Sequence, residues 1–392
     1  MKRVYLDHNA TTPVHPEVAK SIRPFLEELF GNPSSIHFQG REVRKAVEDS
    51  REATAAFYGC HPLEVIFTSS GTESGNLAIK GVAYLPGNEG KHIVTSQVEH
   101  AATINTCRFL EKRGYRVSYV PVNRQGIVEP EAVRKAIRPD TMLVSIMAAN
   151  NETGCLMPID EIGKIAREAG VLVHTDAVQA TGKIPLDWKK LPVDMLTFSG
   201  HKINALKGSG GLILRKGVKI SAILHGGHQE RGLRGGTENI VGIVAMGKAF
   251  SLLRENMDSE IAEVRRLRDA LERGIFERIP DLALNGHPTQ RLPNTVNISF
   301  RYIEGEALLL NLDFHGVACS SGSACTSGSL EASPVLLAMG VDPTDAQGAL
   351  RFSLGYGNSD EDIVYVIDAL ETAVNKLRAM SPLYHPRKAQ TK

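Results

Sequence analysis

The segment EVIFTSSGTESGNLAIKGVAYL, residues 64–85, sets the reading of the fold. It opens with EVIFTS, a short β-branched and aromatic run with the composition of a strand. Ser, Gly and Thr then break the run, and GTESGNLAIKGVAYL reads as a helix. The unit recurs. KHIVTS (91–96) precedes a helix expected over 101–113, and RVSYVPV, TMLVSIM, VLVHTDA and DMLTFSG follow, most with a helix in between. Strands alternating with helices predict a mostly parallel sheet with helices on both faces. GGLILRK (210–216) reads as one more strand.

After Gly236 the pattern changes. Amphipathic stretches at 238–256 and 259–278 read as two helices. A strand at NTVNISF, a helix near 305–313, a short strand VAC, a strand in ALRFSLG and a closing helix over DEDIVYVIDALETAVNKLRAM follow. This grouping predicts a smaller α+β domain. The expected division is a large α/β domain over 15–255 and a small domain over 1–14 and 256–392, with the N-terminal arm packing back on the latter.

The 392 residues suffice for two domains or one large α/β unit, and 42% hydrophobic content supports a sizeable core. With 45 basic and 44 acidic residues the net charge is +1, which gives no electrostatic ground for binding nucleic acid or an anionic membrane. The N-terminus MKRVYLDHNATT lacks the apolar segment of a signal peptide, and no apolar run approaches the ~18 residues of a membrane span. Cys60, Cys107, Cys155, Cys319 and Cys325 are odd in number and irregularly spaced. That argues against a disulfide framework and for free thiols in a reducing, cytoplasmic compartment. No HExxH or paired Cys/His spacing points to structural zinc.

Four stretches place chemistry at the C-terminal ends of strands, where open α/β sheets gather ligands. In SSGTESGN (69–76), Ser70, Gly71 and Thr72 open a helix whose N–H groups suit a phosphate, although glycine and serine there also serve as plain caps. No Gly-Lys-Ser/Thr follows, so this is not a Walker loop. In VEHAA, His100 ends a strand, where a flat ring can stack on a cofactor and shuttle protons or merely complete a turn. In VLVHTDAVQA, Asp176 ends an apolar strand, either as a helix N-cap or as partner to a buried cation. In SGHK, Lys202 follows a strand; taken alone it reads as a solvated surface lysine, yet a lysine there can form a Schiff base with a carbonyl cofactor. A phosphate cradle, a stacking ring, a carboxylate for a pyridinium and a Schiff-base lysine are together what pyridoxal phosphate requires.

The stretches YLDHNATTPV, FGNPSSIH, FTSSGTES, NNETG, HTDAVQATGK, FSGHK, GGHQERGLRGGTEN, RLPNTVNISF, SSGSACTSGS and RFSLG carry a resemblance that runs nearly end to end. With them the sequence resembles the pyridoxal-phosphate-dependent cysteine desulfurases of the nitrogen-fixation and iron–sulfur-cluster type, which are class-V aminotransferase-like. The resemblance implies a fold-type-I homodimer, with a large mostly parallel mixed-sheet domain and a smaller α+β domain. Lys202 would then carry the cofactor, Asp176 pair with its pyridine nitrogen, Gln179 bond its ring hydroxyl and His100 stack on its ring. Gly71, Thr72, Ser199 and His201 would hold the phosphate, with Thr237 arriving from the other subunit. Asn151 would lie beside ring and substrate, and Arg351 would clamp the substrate carboxylate, which suits a planar guanidinium. Leu206 and Ala332 stand where the family usually has proline, and Cys319 where it has small residues; none of these removes a catalytic group.

SSGSACTSGS (320–329) sets one cysteine among small residues that leave the backbone permissive. The resemblance implies that this loop, about 318–331, is mobile and that Cys325 is the nucleophile. As a thiolate it would take sulfur from L-cysteine, leaving L-alanine and an enzyme persulfide, with Lys202 as base and His100 assisting. An iron–sulfur scaffold or another acceptor protein would receive the sulfur, and Cys325 would transiently ligate iron–sulfur with the scaffold. Cys319 reads as a buried, inert strand-end thiol. A selenocysteine lyase or a small-amino-acid aminotransferase of the same fold, a non-catalytic sulfur carrier and a dithiol oxidoreductase using Cys319 and Cys325 remain as alternatives.

Overall fold

The computed structural model describes residues 2–321 and 332–384. An N-terminal arm carries the short strand β1 (Val4–Tyr5). Helices Pro16–Glu27 and Phe38–Tyr58 follow, which the strand–helix alternation did not anticipate. Then come β2 (Val65–Thr68), β3 (His92–Ser96), β4 (Arg116–Val120), β5 (Thr141–Ser145), β6 (Leu172–Asp176), β7 (Met195–Ser199) and β8 (Gly210–Leu214). They form a sheet in the order β2-β8-β7-β6-β5-β3-β4. Only β8 runs against its neighbours in this sheet. The ends of β2, β3, β5, β6 and β7 therefore share one edge.

Both faces of the sheet are covered, so its strands read as near-continuous apolar runs. Alternate residues still part cleanly. Val65, Phe67, Val94, Val144 and Phe198 enter one core, and Ile66, Ile93, Leu143 and Met195 enter the other. Helices Gly71–Ala83 and Ala101–Glu111 start just beyond β2 and β3, so their N-termini open on the common edge. The connection from β6 to β7 runs through turns rather than a helix.

The second sheet is antiparallel, in the order β12-β13-β10-β9, built from β9 (Leu282–Asn285), β10 (Thr295–Phe300), β12 (Ser320–Ser321) and β13 (Ala349–Ser353). Between β10 and β12, the short strand β11 (Val317–Ala318) pairs in parallel with β1 and ties the arm to this part of the molecule. The closing helix spans Asp360–Met380, with Ser359 and Asp362 forming a capping box.

Where two helices were expected over 238–256 and 259–278, one helix runs unbroken from Ile240 to Arg278. The expected gap falls in its polar middle, ENMDSEIAE. That stretch holds no Gly or Pro, and the strong formers Glu255, Met257, Glu260, Ala262 and Glu263 flank the weaker Asn256, Asp258 and Ser259. Ile243–Phe250 pack into one core and Leu267, Leu271 and Ile275 into another, so the charged centre only bridges them. The helix crosses residue 255 without interruption. No helix among the described residues is long and apolar enough to cross a membrane.

Candidate active site

At the shared edge lies a cavity of about 300 Å³. Gly71, Thr72, His100, Asn151, Asp176, Gln179, Ser199, His201, Lys202 and Arg351 all line it, together with Asn9, Ala10, Ser70, Met147 and Val178. Residues separated by up to 342 positions thus converge on one space. Thr237 is not among them. It sits exposed before the long helix, beside a smaller hollow that Ser69, Glu230 and Arg234 also line. Cys325, the expected transient iron–sulfur ligand, and residues 322–331 of the expected mobile loop lie outside the described residues; of the loop's first residues, Ala318 ends β11 and Ser320–Ser321 form β12.

The cradle is built by the turn from β2 into helix Gly71–Ala83. Ser70 caps that helix, its Oγ accepting from the N–H of Glu73 at 3.1 Å. Glycine at 71 is required by packing: a Cβ there would stand 2.7 Å from Val178 Cγ2. Gly210 of β8 backs the same turn, since a Cβ on it would lie 2.6 Å from the Ser70 carbonyl carbon. Gly71 and Thr72, the first two residues of the helix, line the cavity, a setting suited to phosphate.

Asp176 ends β6, and one carboxylate oxygen accepts from the N–H of Val178 at 2.9 Å. Burial pushes its carboxyl up, opposed by His100, the Val178 N–H and Lys202. A protonated pyridine nitrogen in the cavity would relieve that burial penalty. His100 caps helix Ala101–Glu111 with Nδ1 accepting from Ala102 N–H at 3.1 Å, so the proton of a neutral ring is on Nε2. Burial, then Lys202, Lys207 and Lys183, pulls His201 down to about 4, leaving it neutral with Nδ1 3.2 Å from the Thr11 hydroxyl.

Lys202 occupies a short turn after β7 and donates to the carbonyls of Asn9 and, at 2.7 Å, Ala10. Asn9 O also accepts from Gln179 Nε2 at 2.9 Å, while Gln179 Oε1 accepts from Lys183 at 3.0 Å. The Asn9 carbonyl, which can only accept, fixes the orientation of the Gln179 amide, while burial and the nearby charges of Lys202 and Arg351 pull Lys183 down to about 7. Arg351, buried in β13, donates to Asn151 O at 3.0 Å and to Asp7 at 2.7 Å. Its Nε is buried with no partner among the described residues. A buried guanidinium N–H in want of an acceptor fits an incoming carboxylate.

Sequence reasoning assigned no role to Asn9 or Asp7, although the motif YLDHNATT holds both. The available signal was a polar run directly after a strand. In the structure Asn9 is buried and bonded to Asn151, Thr295, Ser353 and Asn294. A second space of about 380 Å³ adjoins the cavity and shares His100 and Asn151 with it. Glu99 and Glu152 line this second space. Burial raises Glu99 to about 8 and Glu152 to about 7. Burial also raises the Cys319 thiol, leaving it unreactive near neutrality.

A carboxylate at a strand end, a lysine one strand over, a helix-opening anion cradle and a capping histidine define a pyridoxal-phosphate enzyme of the open α/β type. The aminotransferase class-V model matches residues 4–366. A cysteine desulfurase IscS of Dictyoglomus turgidum is 52% identical, over 97% of each chain. A solved NifS-like protein is 39% identical with TM-score 0.90, covering 96% of this chain and all of its own. A protein solved as SspA in complex with cysteine is 34% identical with TM-score 0.81, over 90% of this chain and 99% of its own. The chain belongs to the class-V aminotransferase family and, within it, to the cysteine desulfurases, whose cofactor is pyridoxal phosphate.

Proposed function

We propose that this chain is a cysteine desulfurase that moves sulfur from L-cysteine to Cys325. The observation carrying this reading is the convergence of Lys202, Asp176, His100 and Arg351 on one cavity in a chain whose relatives at about 50% identity are cysteine desulfurases. Gly71, Thr72, Ser199 and His201 would hold the cofactor phosphate, Gln179 its ring hydroxyl and Asp176 its ring nitrogen. Bound there, pyridoxal phosphate supplies an electron sink that loosens the substrate bond between Cβ and sulfur. Arg351 holds the substrate carboxylate through its unpaired Nε, and Asn151 lies beside it. Lys202 moves the substrate α-proton, and His100 is placed to assist at Nε2. Cys325, as thiolate, forms the S–S bond as the carbon–sulfur bond breaks. The bonding pair stays with carbon, which takes up a proton, so cysteine and a thiol become alanine and a persulfide. An iron–sulfur scaffold or another acceptor protein then takes the sulfur.

The working form is a homodimer in which Thr237 completes the neighbour's phosphate site. Exposed Leu26, Phe30, Ile36 and Phe38 support this by offering an apolar face. Within each subunit, residues 15–255 act as the cofactor lobe and 1–14 with 256–392 as the lobe carrying Arg351 and Cys325. The second apolar core, drawn from Val4, Leu6 and residues from Leu267 onward, supports that division, while Leu292, Val335, Leu336, Met339, Ala346 and Ala349 pack into the first core and tie the lobes together. The compartment is the reducing cytoplasm, where the thiols stay free.

Sulfide and alanine release from L-cysteine tests the proposal. Lys202→Ala is expected to lose both products and the visible absorbance of lysine-bound cofactor. Cys325→Ala keeps the absorbance and loses the products. Sulfide at wild-type rate from Cys325→Ala rejects the assigned nucleophile.

A further inference from the structure

The helix turn that forms the phosphate cradle carries a negative charge, at odds with an anion site. Glu73 is the third residue of helix Gly71–Ala83 and follows directly on Thr72. Its role in the turn is clear: Oε2 accepts from the Ser69 N–H at 2.8 Å and from Ser69 Oγ at 2.5 Å, fixing the passage from strand to helix. A carboxylate in a first turn suits the helix dipole, but there it competes with a phosphate for the same positive end. Arg234 answers it, with Nε 2.8 Å from Oε1 and Nη2 3.4 Å from Oε2. Both side chains are largely shielded, at 20% and 16% exposure, so the pair is weakly screened.

Arg234 is itself held in place. It belongs to the glycine-rich loop HGGHQERGLRGG, which Glu230 and Arg231 anchor. Both take left-handed backbone, with φ of 45° and 59°, a strained choice for side chains of this size. Glu230 grips Arg51 through two bonds of 2.9 and 2.8 Å and accepts from Phe67 N–H at 2.9 Å. Arg231 donates to Val65 O at 2.8 Å. The loop is stitched to β2, the strand that delivers the cradle, and the stitching aims Arg234 at Glu73.

We propose that Arg234 is a positioning residue that neutralises Glu73 inside the phosphate cradle, so that the carboxylate can brace the turn without repelling the cofactor's phosphate. This rests on the cofactor assignment above and goes beyond it, since neither residue lines the cofactor cavity. The pair lowers the carboxyl of Glu73 against the opposing effect of burial, so the anion that Arg234 must cancel is present at neutral pH.

The test measures equilibrium binding of pyridoxal 5′-phosphate and of pyridoxal, which lacks the phosphate, to the full chain. Arg234→Met is expected to weaken pyridoxal phosphate about tenfold and pyridoxal much less, because only the former brings the second anion. Glu73→Gln added to Arg234→Met restores pyridoxal phosphate binding. Glu73→Gln alone binds it at least as tightly as wild type. Equal weakening of both ligands by Arg234→Met, or failure of Glu73→Gln to rescue, overturns the proposal and leaves a merely structural bond. If Arg234→Met does not fold, the single Glu73→Gln decides, since weaker phosphate-dependent binding refutes the idea. Absence of pyridoxal phosphate binding by the wild type rejects instead the cofactor assignment.

Discussion

Replacing Gly71 with alanine isolates how tightly the cradle is fitted to the acid beside it. The added Cβ would stand 2.7 Å from Val178 Cγ2, well inside ordinary contact, and 3.5 Å from Ser199 Cβ. Valine is stiff at χ1, so the strain cannot be shed by a rotamer change alone. Overpacking of this kind costs ~1–3 kcal/mol, while Gly to Ala in a helix returns at most ~1 kcal/mol. The 2.7 Å approach falls in the upper part of the overpacking range, ~2–3 kcal/mol, so the net is ~1–2 kcal/mol. Val178 lines the cavity, so it gives most readily into the space the cofactor fills. It also supplies the N–H that holds Asp176. The strain therefore falls on the loaded state, and pyridoxal phosphate binding weakens ~5- to 30-fold, with little change in the melting temperature of the cofactor-free chain. Val178→Ala removes the offending methyl. In a double-mutant cycle, Gly71→Ala/Val178→Ala recovers most of the loss relative to Val178→Ala alone, read as retention of the lysine-bound cofactor's absorbance. Wild-type binding by Gly71→Ala, or no recovery in the double variant, refutes this reasoning.

Arg351→Lys removes the planar fork that holds Asn151 O and Asp7 and loses the unpaired Nε, so kcat/KM for L-cysteine falls ~10- to 100-fold, mostly through KM, with cofactor absorbance unchanged. Glu230→Ala leaves the buried Arg51 without its bidentate carboxylate, keeping Glu48 at 3.2 Å and the Val65 carbonyl at 2.9 Å, and costs ~3 kcal/mol of stability, lowering the melting temperature. His174, buried between the hydroxyls of Ser145 and Thr197, is pulled by burial from its ordinary 6.5 to about 3, so the unfolded chain protonates first and stability is lost as pH falls below 6.5. Its share between pH 7 and 5 is ~2 kcal/mol at most, and denaturant curves of His174→Gln at those pH values are expected to be flatter in pH by about that amount. An unchanged pH slope counts against the buried neutral ring.

What the sequence disclosed follows from which contacts are local. Val65–Thr68 and Met195–Ser199 were legible as strands because burial on both faces enforces continuous apolar runs. Asp176 and Lys202 stood out because each follows such a run. The unbroken helix Ile240–Arg278 was read as two because the apolar pattern lapses at its centre, where packing of both ends into separate cores carries the helix through. Asn9 and Asp7 were invisible for a different reason. Asn9 meets Asn151 across 142 positions, and Asp7 meets Arg351 across 344, so no local pattern can announce either pairing. Yet these contacts bind the site's two halves together. Asn9 O receives both Lys202 and Gln179 from the large sheet, its amide donates to the same Asn151 carbonyl that Arg351 holds, and its backbone N–H bonds Ser353 of β13. The cofactor lysine and the substrate clamp are thus referenced to one buried asparagine. A shift of the N-terminal arm must move both, which makes the arm a working part of the site and not a terminal appendage.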